Sequence, residues 1–206
     1  MNFNSEKFAV FSHPSLDKRM EAIRQVVHPS FEFYAKQIQS ELKDRDGSQL
    51  FPIHIAKHLR RTTNPPESTW VAIGGDKRGY KKYPHFQIFL TPHYVFVGLA
   101  LIDNPLFEKE IAEAYLGRLD LFQNLSSDMK IIQDHTQETY TALTEIDLPL
   151  VLTRLRDVKK AELMIGSILK AGDKRLDQQS DIENWIQMTV KELYPLYDLA
   201  WRLYQS

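Results

Sequence analysis

Histidine and arginine side chains that could bind an anion are concentrated in one stretch of the sequence, residues 54–90. From His54 to His93 the chain carries seven lysines or arginines and two acidic residues, whereas the whole chain has a net charge of −1. Guanidinium, ammonium and imidazole groups donate hydrogen bonds to phosphate and carboxylate oxygens, so this composition favours a local anion site. The expected ligand contacts are His58, Arg60, Arg61, Arg78, Lys81 and His85.

A glycine-rich basic loop, residues 74–83, is predicted between two strands of this stretch. Glycine lets the backbone approach a ligand closely, and successive N–H groups beside Arg78 and Lys81 could form a nest for an anion. The residue order of a Walker phosphate loop is absent. The other interpretation is a solvated hairpin loop whose charges keep a sheet edge from pairing. The sequence leaves both interpretations open.

Arg60 and Arg61 precede the turn-forming residues Asn64-Pro65-Pro66. The two prolines stiffen this turn and force Asn64 into an extended conformation, which would hold the arginines in a defined place. One interpretation is a guanidinium clamp for a phosphate or a carboxylate. The other is that the arginines pair with acidic residues elsewhere in the chain.

His54 and His58 are four residues apart, and His85 could join them across a sheet. Imidazole is a zinc ligand, but Lys57 and the two arginines that follow it would repel a divalent cation. We therefore expect no metal at these histidines, and the sequence indicates no cofactor. The histidines are expected to be hydrogen-bonded structural residues, or donors that line a polar pocket with Arg60.

Other catalytic patterns are missing from the sequence. The chain has no cysteine, which excludes disulfides, thiolate nucleophiles and cysteine-based zinc sites. Asp134 and His135 place a carboxylate beside an imidazole, but adjacent residues seldom orient one another as a catalytic pair. No nucleophile elbow of the G-x-S-x-G type is present. Whether the chain is an enzyme therefore stays open.

Strands are the elements predicted to position the basic stretch. Thr69–Ile73 and His85–Leu90 alternate between two faces, as strands do. Tyr94–Ile102 is apolar on both faces, which predicts an inner strand. The short link 91–93 predicts an antiparallel hairpin between the last two of these strands. Ile53–Arg60 fits either a strand or a helix, and we favour a strand.

Helices are predicted on both sides of this central region from apolar residues at helical spacing. Their predicted ranges are Leu16–Val27, Pro29–Leu42, Pro105–Phe122 with Asn104 as its cap, Asp147–Arg156, and a long helix from the capping box Ser180-Asp181-Ile182-Glu183 to Tyr204. Two further strands are predicted at Lys130–Gln133 and Val158–Leu169, and Lys43–Ser48 is predicted to be a loop. Pro195 removes one backbone donor from the last helix.

Length and composition bound the class of protein. With 206 residues, 43% of them hydrophobic and 26% charged, the chain is typical of a soluble globular protein, and we predict one domain over residues 1–206. A pI near 6.7 argues against bulk nucleic-acid binding, which usually requires a strongly basic domain. The first residues lack a signal-peptide pattern, and the longest apolar run, Tyr94–Ile102, is too short to cross a membrane. We expect a cytoplasmic location and no membrane partner.

The basic stretch also resembles a known family. The runs H-x-A-K-H-x-R-R-x-x-N-P-P-x-x-x-W-V-A, which starts at His54, and K-R-G-Y-K-K-x-P-H-F-Q, which starts at Lys77, resemble the uncharacterised family of bacterial cytoplasmic proteins typified by YktB. The segments 16–20, 134–136 and 158–163 match the same family pattern, so the resemblance spans essentially the whole chain. It implies a helix lying across an antiparallel sheet, similar to the helix-grip arrangement of TATA-binding-protein-like domains, and it implies no activity.

These observations predict an α+β fold with a central, mostly antiparallel sheet, N-terminal helices and a long C-terminal helix across one face. The leading functional hypothesis is a binding module for a small ligand that carries a phosphate or a carboxylate. One alternative is an enzyme that acts on a phosphorylated or nucleotide substrate, with His58 or His85 as acid or base. Another is RNA or protein binding through the basic loop 74–83. A concave pocket with converging histidines and arginines would favour the ligand-binding module or the enzyme, and a flat basic face would favour RNA or a protein partner.

Overall fold

A seven-stranded sheet is formed within the part of the chain that the computed structural model describes, residues 1–46, 50–102 and 105–205. The strands are β1 Ile53–Ile55, β2 Thr69–Gly74, β3 His85–Leu90, β4 Tyr94–Leu101, β5 Lys130–Ile132, β6 Thr141–Ala142 and β7 Leu163–Lys170. Their order in the sheet is β1-β2-β3-β4-β7-β5-β6. Antiparallel pairing joins β1 to β2 and joins β5 to both β6 and β7.

The centre of the sheet agrees with the sequence pattern. Every residue of β4 is buried, and β4 lies between β3 and β7, which confirms the predicted inner strand. The backbone N–H of Thr91 donates to the carbonyl of Tyr94 (3.0 Å) and closes the predicted hairpin between β3 and β4. The segment 74–83 joins the neighbouring strands β2 and β3.

Helices precede and follow the sheet strands, and the fold is α+β as predicted. The α-helices are α1 Ser5–Ala9, α2 Leu16–Ala22, α3 His28–Asp46, α4 Glu108–Leu116, α5 Leu119–Gln123, α6 Leu148–Asp157 and α7 Gln179–Trp201. Short 3-10 turns cover Val10–Ser12, Leu143–Glu145, Lys174–Asp177 and Arg202–Tyr204. Within the described residues, no helix is both long enough and apolar enough to cross a membrane.

A π-helical turn, Ile23–Val27, joins α2 directly to α3. The backbone N–H of His28 donates to the carbonyl of Ile23, five residues earlier, instead of the usual four. Pro29 follows and has no N–H to continue the regular ladder, so the change of register comes where the sequence would break it anyway. The two helices predicted on either side of Pro29 therefore form one continuous helical run.

Two non-glycine residues with positive φ shorten predicted strands. His58 has φ 49°, and β1 ends at Ile55 instead of continuing to Arg60. Lys160 has φ 66° inside a turn closed by the N–H of Ala161 and the carbonyl of Val158, so β7 begins at Leu163 and not at residue 158. Left-handed backbone is incompatible with an extended strand, which explains both differences.

Helix boundaries also differ from the predictions. The helix predicted over 105–122 is two helices, because Gly117 ends α4 and Arg118 takes a non-helical conformation; its predicted cap, Asn104, lies outside the described residues. The capping box is not formed, because α7 begins at Gln179 and Glu183 instead accepts hydrogen bonds from Gln37 and Gln179 side chains. Residues 43–46 continue α3, and the remainder of the loop predicted there, Gly47 and Ser48, lies outside the described residues.

The chain divides into two compact units. The first consists of Met1–Ile73, Gln87–Val97 and Ile168–Met188, and the second of Gly74–Phe86, Gly98–Ser167 and Thr189–Ser206. The first buries Phe3 stacked on Tyr34, with a ring-centroid distance of 5.5 Å. The second buries Tyr115, whose hydroxyl donates to the carbonyl of Leu196 (2.9 Å). The single domain over residues 1–206 stays a prediction.

Candidate functional site

His58 is the most unusual of the predicted contact residues. It lies three residues after β1, in a turn where the backbone N–H of Arg61 donates to its carbonyl (3.0 Å). Its left-handed backbone is sparsely populated for any residue with a Cβ, and such conformations cost about 1–3 kcal/mol and often occur at functional sites. The surrounding contacts must therefore hold His58 in place.

The imidazole of His58 is held by the start of β2. Its Nε2 shares a hydrogen bond with the hydroxyl of buried Thr69 (3.2 Å), and its ring meets that of Trp70 edge to face, with centroids 5.2 Å apart. Burial, with smaller effects from the charges of Arg61 and His28, lowers the pKa of His58 to about 4. The ring is therefore neutral at pH 7.

Two cavities of the first unit share His58 as a wall. One, of about 460 Å³, is lined by Ala56, Lys57, His58, Leu59, Arg60, Arg61, Ser68 and Trp70. Its lining contains three cationic side chains and no acidic one. The other, of about 600 Å³, extends from the same segment to α2 and the π turn, where Asp17 and Glu21 lie beside Arg24. The first cavity is therefore the more strongly basic of the two.

His28 belongs to this region, although the sequence analysis did not select it. Its Nε2 is buried and has no hydrogen-bond partner among the described residues. Burial lowers the pKa of His28, Arg24 lowers it further, and Glu32 partly opposes both. The charge of His28 also contributes to lowering the pKa of His58. The only sequence signal was the position of His28, directly before a proline within a helical apolar repeat.

The turn that follows the two arginines is fastened to α2. Arg19 donates hydrogen bonds to the carbonyls of Pro66 (3.0 Å) and His13 (2.9 Å). The guanidinium groups of Arg60 and Arg61 form no ion pair or hydrogen bond with any described side chain. The interpretation that these arginines neutralise acidic partners therefore finds no such partner within residues 1–46, 50–102 and 105–205.

The basic loop 74–83, in the second unit, is closed by the carboxylate of Asp76, a residue of the same loop. Asp76 Oδ1 accepts hydrogen bonds from the backbone N–H groups of Arg78 (2.6 Å) and Gly79 (3.1 Å), and Tyr83 donates its hydroxyl to Oδ2 (3.0 Å). These bonds, the one from Arg78 foremost, lower the pKa of Asp76. Asp76 therefore occupies the backbone donors that the nest interpretation assigned to a ligand.

Three of the residues predicted to contact a ligand lie in the second unit, and they differ in solvent exposure. His85 is fully buried, and its Nδ1–H donates to the carbonyl of Tyr83 (3.0 Å), while the ring of Tyr80 lies against it at 4.7 Å. Arg78 and Lys81 are exposed on the loop. Of the six predicted contacts, the structure brings His58, Arg60 and Arg61 to one cavity of the first unit. His85 has a position suited to fixing the base of the loop.

Asp134, His135 and Glu162 form another polar cluster, which lies in the second unit. Sequence patterns did not identify it because Glu162 is 27 residues from His135. His135 Nδ1 lies 2.7 and 2.8 Å from the two carboxylate oxygens of Glu162, which also accepts the backbone N–H of His135 (2.9 Å). One ligand atom from each of Asp134, His135 and Glu162 lies within 4.8 Å of the other two. Burial and the charge of Glu162 raise the pKa of nearby Glu108. The sequence argued against Asp134 as the partner that orients His135, and in the structure that partner is Glu162.

Comparison with known proteins identifies the family. Residues 3–197 match the family described as a domain of unknown function, DUF1054. The chain belongs to the DUF1054 family. It is 43% identical over 202 residues to a UPF0637 protein of Enterococcus faecalis, a match that covers 96% of this chain and 97% of that relative. A UPF0637 protein of Oceanobacillus iheyensis is 39% identical, with 96% of each chain covered, and one of Listeria monocytogenes is 38% identical, with 95% of each covered.

These matches confirm the family resemblance inferred from the sequence and extend it over the whole fold. In this DUF1054 protein, segments that carried the resemblance are in contact with one another. Arg19, in the first such segment, holds Pro66 in the second. His135 and Glu162, in the last two, share the hydrogen bonds described above. The family pattern thus includes residues around both the cavity at His58 and the cluster at His135.

Proposed function

We propose that this DUF1054 protein binds a small anionic ligand, carrying a phosphate or a carboxylate, in the basic cavity at His58. The observation that carries the proposal is the cavity lining, which contains Lys57, Arg60 and Arg61 beside the imidazole of His58 and no acidic side chain. Arginine pairs bidentately with phosphate and carboxylate oxygens, which suits a ligand of this class.

Charge and hydrogen bonding in the cavity support this proposal. Arg60 and Arg61 have no acidic partner among the described residues, so an anion bound between them would reduce their mutual repulsion. His58 is neutral at pH 7 because of burial and the nearby Arg61. An anion would add a favourable charge beside the ring and raise its pKa, so binding should tighten as the pH falls below 7.

The remaining lining suggests that the ligand has an apolar part. Trp70 and Leu59 face the same cavity as the cations, and Leu59 is 85% exposed. A volume of about 460 Å³ lies within the range of cavities that bind metabolites, about 300–1,000 Å³. A phosphorylated metabolite or a nucleotide has the required combination of an anionic group and an apolar or aromatic body.

Thermal unfolding with phosphate, sulfate and nucleoside monophosphates at matched ionic strength tests the proposal. The wild type should be stabilised in a saturable way, by about 2.7 kcal/mol at 100 times the dissociation constant. The variant Arg60→Gln/Arg61→Gln should lose this response, because it removes both guanidinium groups. The loop variant Arg78→Gln/Lys81→Gln removes the same number of charges from the second unit and should keep it.

Other outcomes of this experiment would change the assignment. If no anion stabilises the wild type beyond the effect of chloride, or if both double variants respond like it, the cavity is not the anion site. Loss of the response in the loop variant alone would move the site to residues 74–83. Turnover of a bound nucleotide would identify an enzyme, with His58 as the candidate acid or base.

A further inference from the structure

We propose that Asp134, His135 and Glu162 form a binding site for one divalent transition-metal ion of the Zn²⁺ or Mn²⁺ type. The site lies in the second unit and is independent of the proposed anion cavity. It combines one imidazole with two carboxylates, a set of nitrogen and oxygen ligands that suits these ions. All three residues have their ligand atoms within 4.8 Å of one another.

The distance between His135 and Glu162 requires little rearrangement to admit an ion. Bonds of about 2.0–2.2 Å place two ligand atoms of one metal ion about 3 Å or slightly more apart. His135 Nδ1 and the carboxylate of Glu162 are 2.7–2.8 Å apart, so they need to separate by only a few tenths of an ångström. Neutral imidazole would then bind the ion through Nδ1, and Nε2 would carry the ring proton.

Local hydrogen bonds hold the ligands in place. The carboxylate of Asp134 accepts the backbone N–H (2.9 Å) and the hydroxyl (2.6 Å) of Thr136 through Oδ1 alone. Its Oδ2 has no hydrogen-bond partner among the described residues. Oriented carboxylates of this kind favour metal binding because the ligands lose little freedom when the ion arrives.

The charges around the cluster provide a second, independent indication of a cation. Glu108 lies close enough to Glu162 for the two charges to interact, and its Oε1 is buried without a hydrogen-bond partner among the described residues. Arg154 is the cation that acts on Asp134 from outside the cluster. Three carboxyl groups therefore lie beside one guanidinium and one imidazole, an acidic surrounding that favours a cation. An unpartnered buried carboxylate oxygen is otherwise costly.

The competing explanation is that Glu162 only fastens residues 134–136 to the start of β7. That role needs the carboxylate of Glu162 together with the backbone N–H and the ring Nδ1 of His135. It does not need the second oxygen of Asp134. A substitution at Asp134 therefore distinguishes the two explanations, whereas a substitution of His135 or Glu162 would disturb both.

Isothermal titration of the full chain, stripped with chelator, with ZnCl₂, MnCl₂ and MgCl₂ tests the metal site. We expect one Zn²⁺ or Mn²⁺ per chain and much weaker Mg²⁺ binding, because Mg²⁺ prefers a shell of oxygens and water. Asp134→Asn keeps the oxygen that Thr136 contacts, and should weaken binding at least about tenfold, as should His135→Gln. Asp128→Asn removes an exposed carboxylate of the same unit and should leave binding unchanged.

Thermal unfolding of each apo variant checks that the fold is retained. The proposal is overturned if the wild type takes up no stoichiometric ion, if both substitutions leave uptake unchanged, or if Asp128→Asn weakens it equally. If His135→Gln does not fold, Asp134→Asn alone decides, because it preserves the hydrogen bonds to Thr136.

Discussion

Single residues with unusual backbone conformations lie beside both candidate sites. Among the described residues, the only non-glycine residues with positive φ are His58 and Lys160. His58 lines the proposed anion cavity, and Lys160 lies two residues before Glu162. Such conformations persist only where surrounding contacts enforce them. For His58 those contacts are Thr69 and Trp70, so the imidazole is positioned before any ligand arrives.

The low pKa of His58 predicts a pH dependence of stability. Its folded-state pKa is about 4 and its ordinary value is 6.5, so the folded protein binds fewer protons between these values. The contribution of His58 is therefore fully present above pH 6.5 and is lost as the pH falls towards 4. For a partly exposed ring, solvent screening reduces the effect to roughly 1–2 kcal/mol.

Thermal unfolding at pH 7.5 and pH 5.0 measures this contribution. The melting temperature of the wild type should fall, and that of His58→Asn should fall by roughly 2–6 °C less. Asparagine tolerates the positive φ, so the backbone is preserved. His13→Asn is the control, because His13 is exposed, and it should behave like the wild type. An equal fall in all three proteins would show that His58 titrates with an ordinary pKa.

At the scale of elements, the loop between β2 and β3 requires glycine at position 75. Gly75 has φ 74°, and a Cβ at this position would lie 2.3 Å from the carbonyl oxygen of Gly79 and 2.6 Å from the Cα of Tyr80. Both contacts are with backbone atoms, so they cannot be relieved by a side-chain rotation. A Cβ at Gly79 would meet nothing within 4 Å.

Gly75→Ala should therefore destabilise the protein by about 1–3 kcal/mol, and Gly79→Ala should change its stability by less than about 0.5 kcal/mol. Urea unfolding of the two variants compares the same chemical change at two positions of one loop. If the two substitutions cost equal amounts, the turn closed by Asp76 is not the conformation of the loop in solution.

Elements that are defined by neighbouring residues could be predicted from the sequence, whereas features that depend on contacts between distant residues could not. The pattern of consecutive residues predicted both strands correctly, β3 from its alternation between two faces and β4 from apolar residues on both faces. It could not show that Asp76 closes the basic loop, because the same glycines and charges are compatible with a nest for a ligand. Nor could it predict that α7 would start before the capping box, since Glu183 is held by Gln37, which lies far away in sequence.

The site residues that sequence reasoning missed depend on contacts at long range. Glu162 lies 27 residues from His135, and no local pattern joins them. No other histidine lies at a motif-like spacing from His28, so no local pattern marked it. Only the fold brings its charge close enough to act on His58. By contrast, Arg60 and Arg61 were predicted because their neighbours restrict the backbone directly. The predicted helix-grip arrangement of α7 on the sheet stays a prediction.

At the scale of the whole molecule, the net charge is small, but charges of one sign are concentrated at particular places. The chain is close to neutral, with a pI near 6.7, yet the first cavity is lined by three cations and the cluster at His135 contains two carboxylates. This separation favours small, charged ligands at defined places over binding of a long polyanion, which would need an extended basic face. The two proposed sites lie in different compact units and can be tested separately.

The protonation of His58 in the presence of an anion tests the central proposal most directly. Nuclear magnetic resonance of the histidine rings between pH 3.0 and 7.5, with His58 assigned from the His58→Asn variant, reports its pKa in chloride and in sulfate at matched ionic strength. Sulfate keeps its charge over this range. The proposal predicts a pKa of about 4 in chloride and a clear rise in sulfate that disappears in Arg60→Gln/Arg61→Gln. Identical titration curves in chloride and sulfate would contradict an anion site at this cavity.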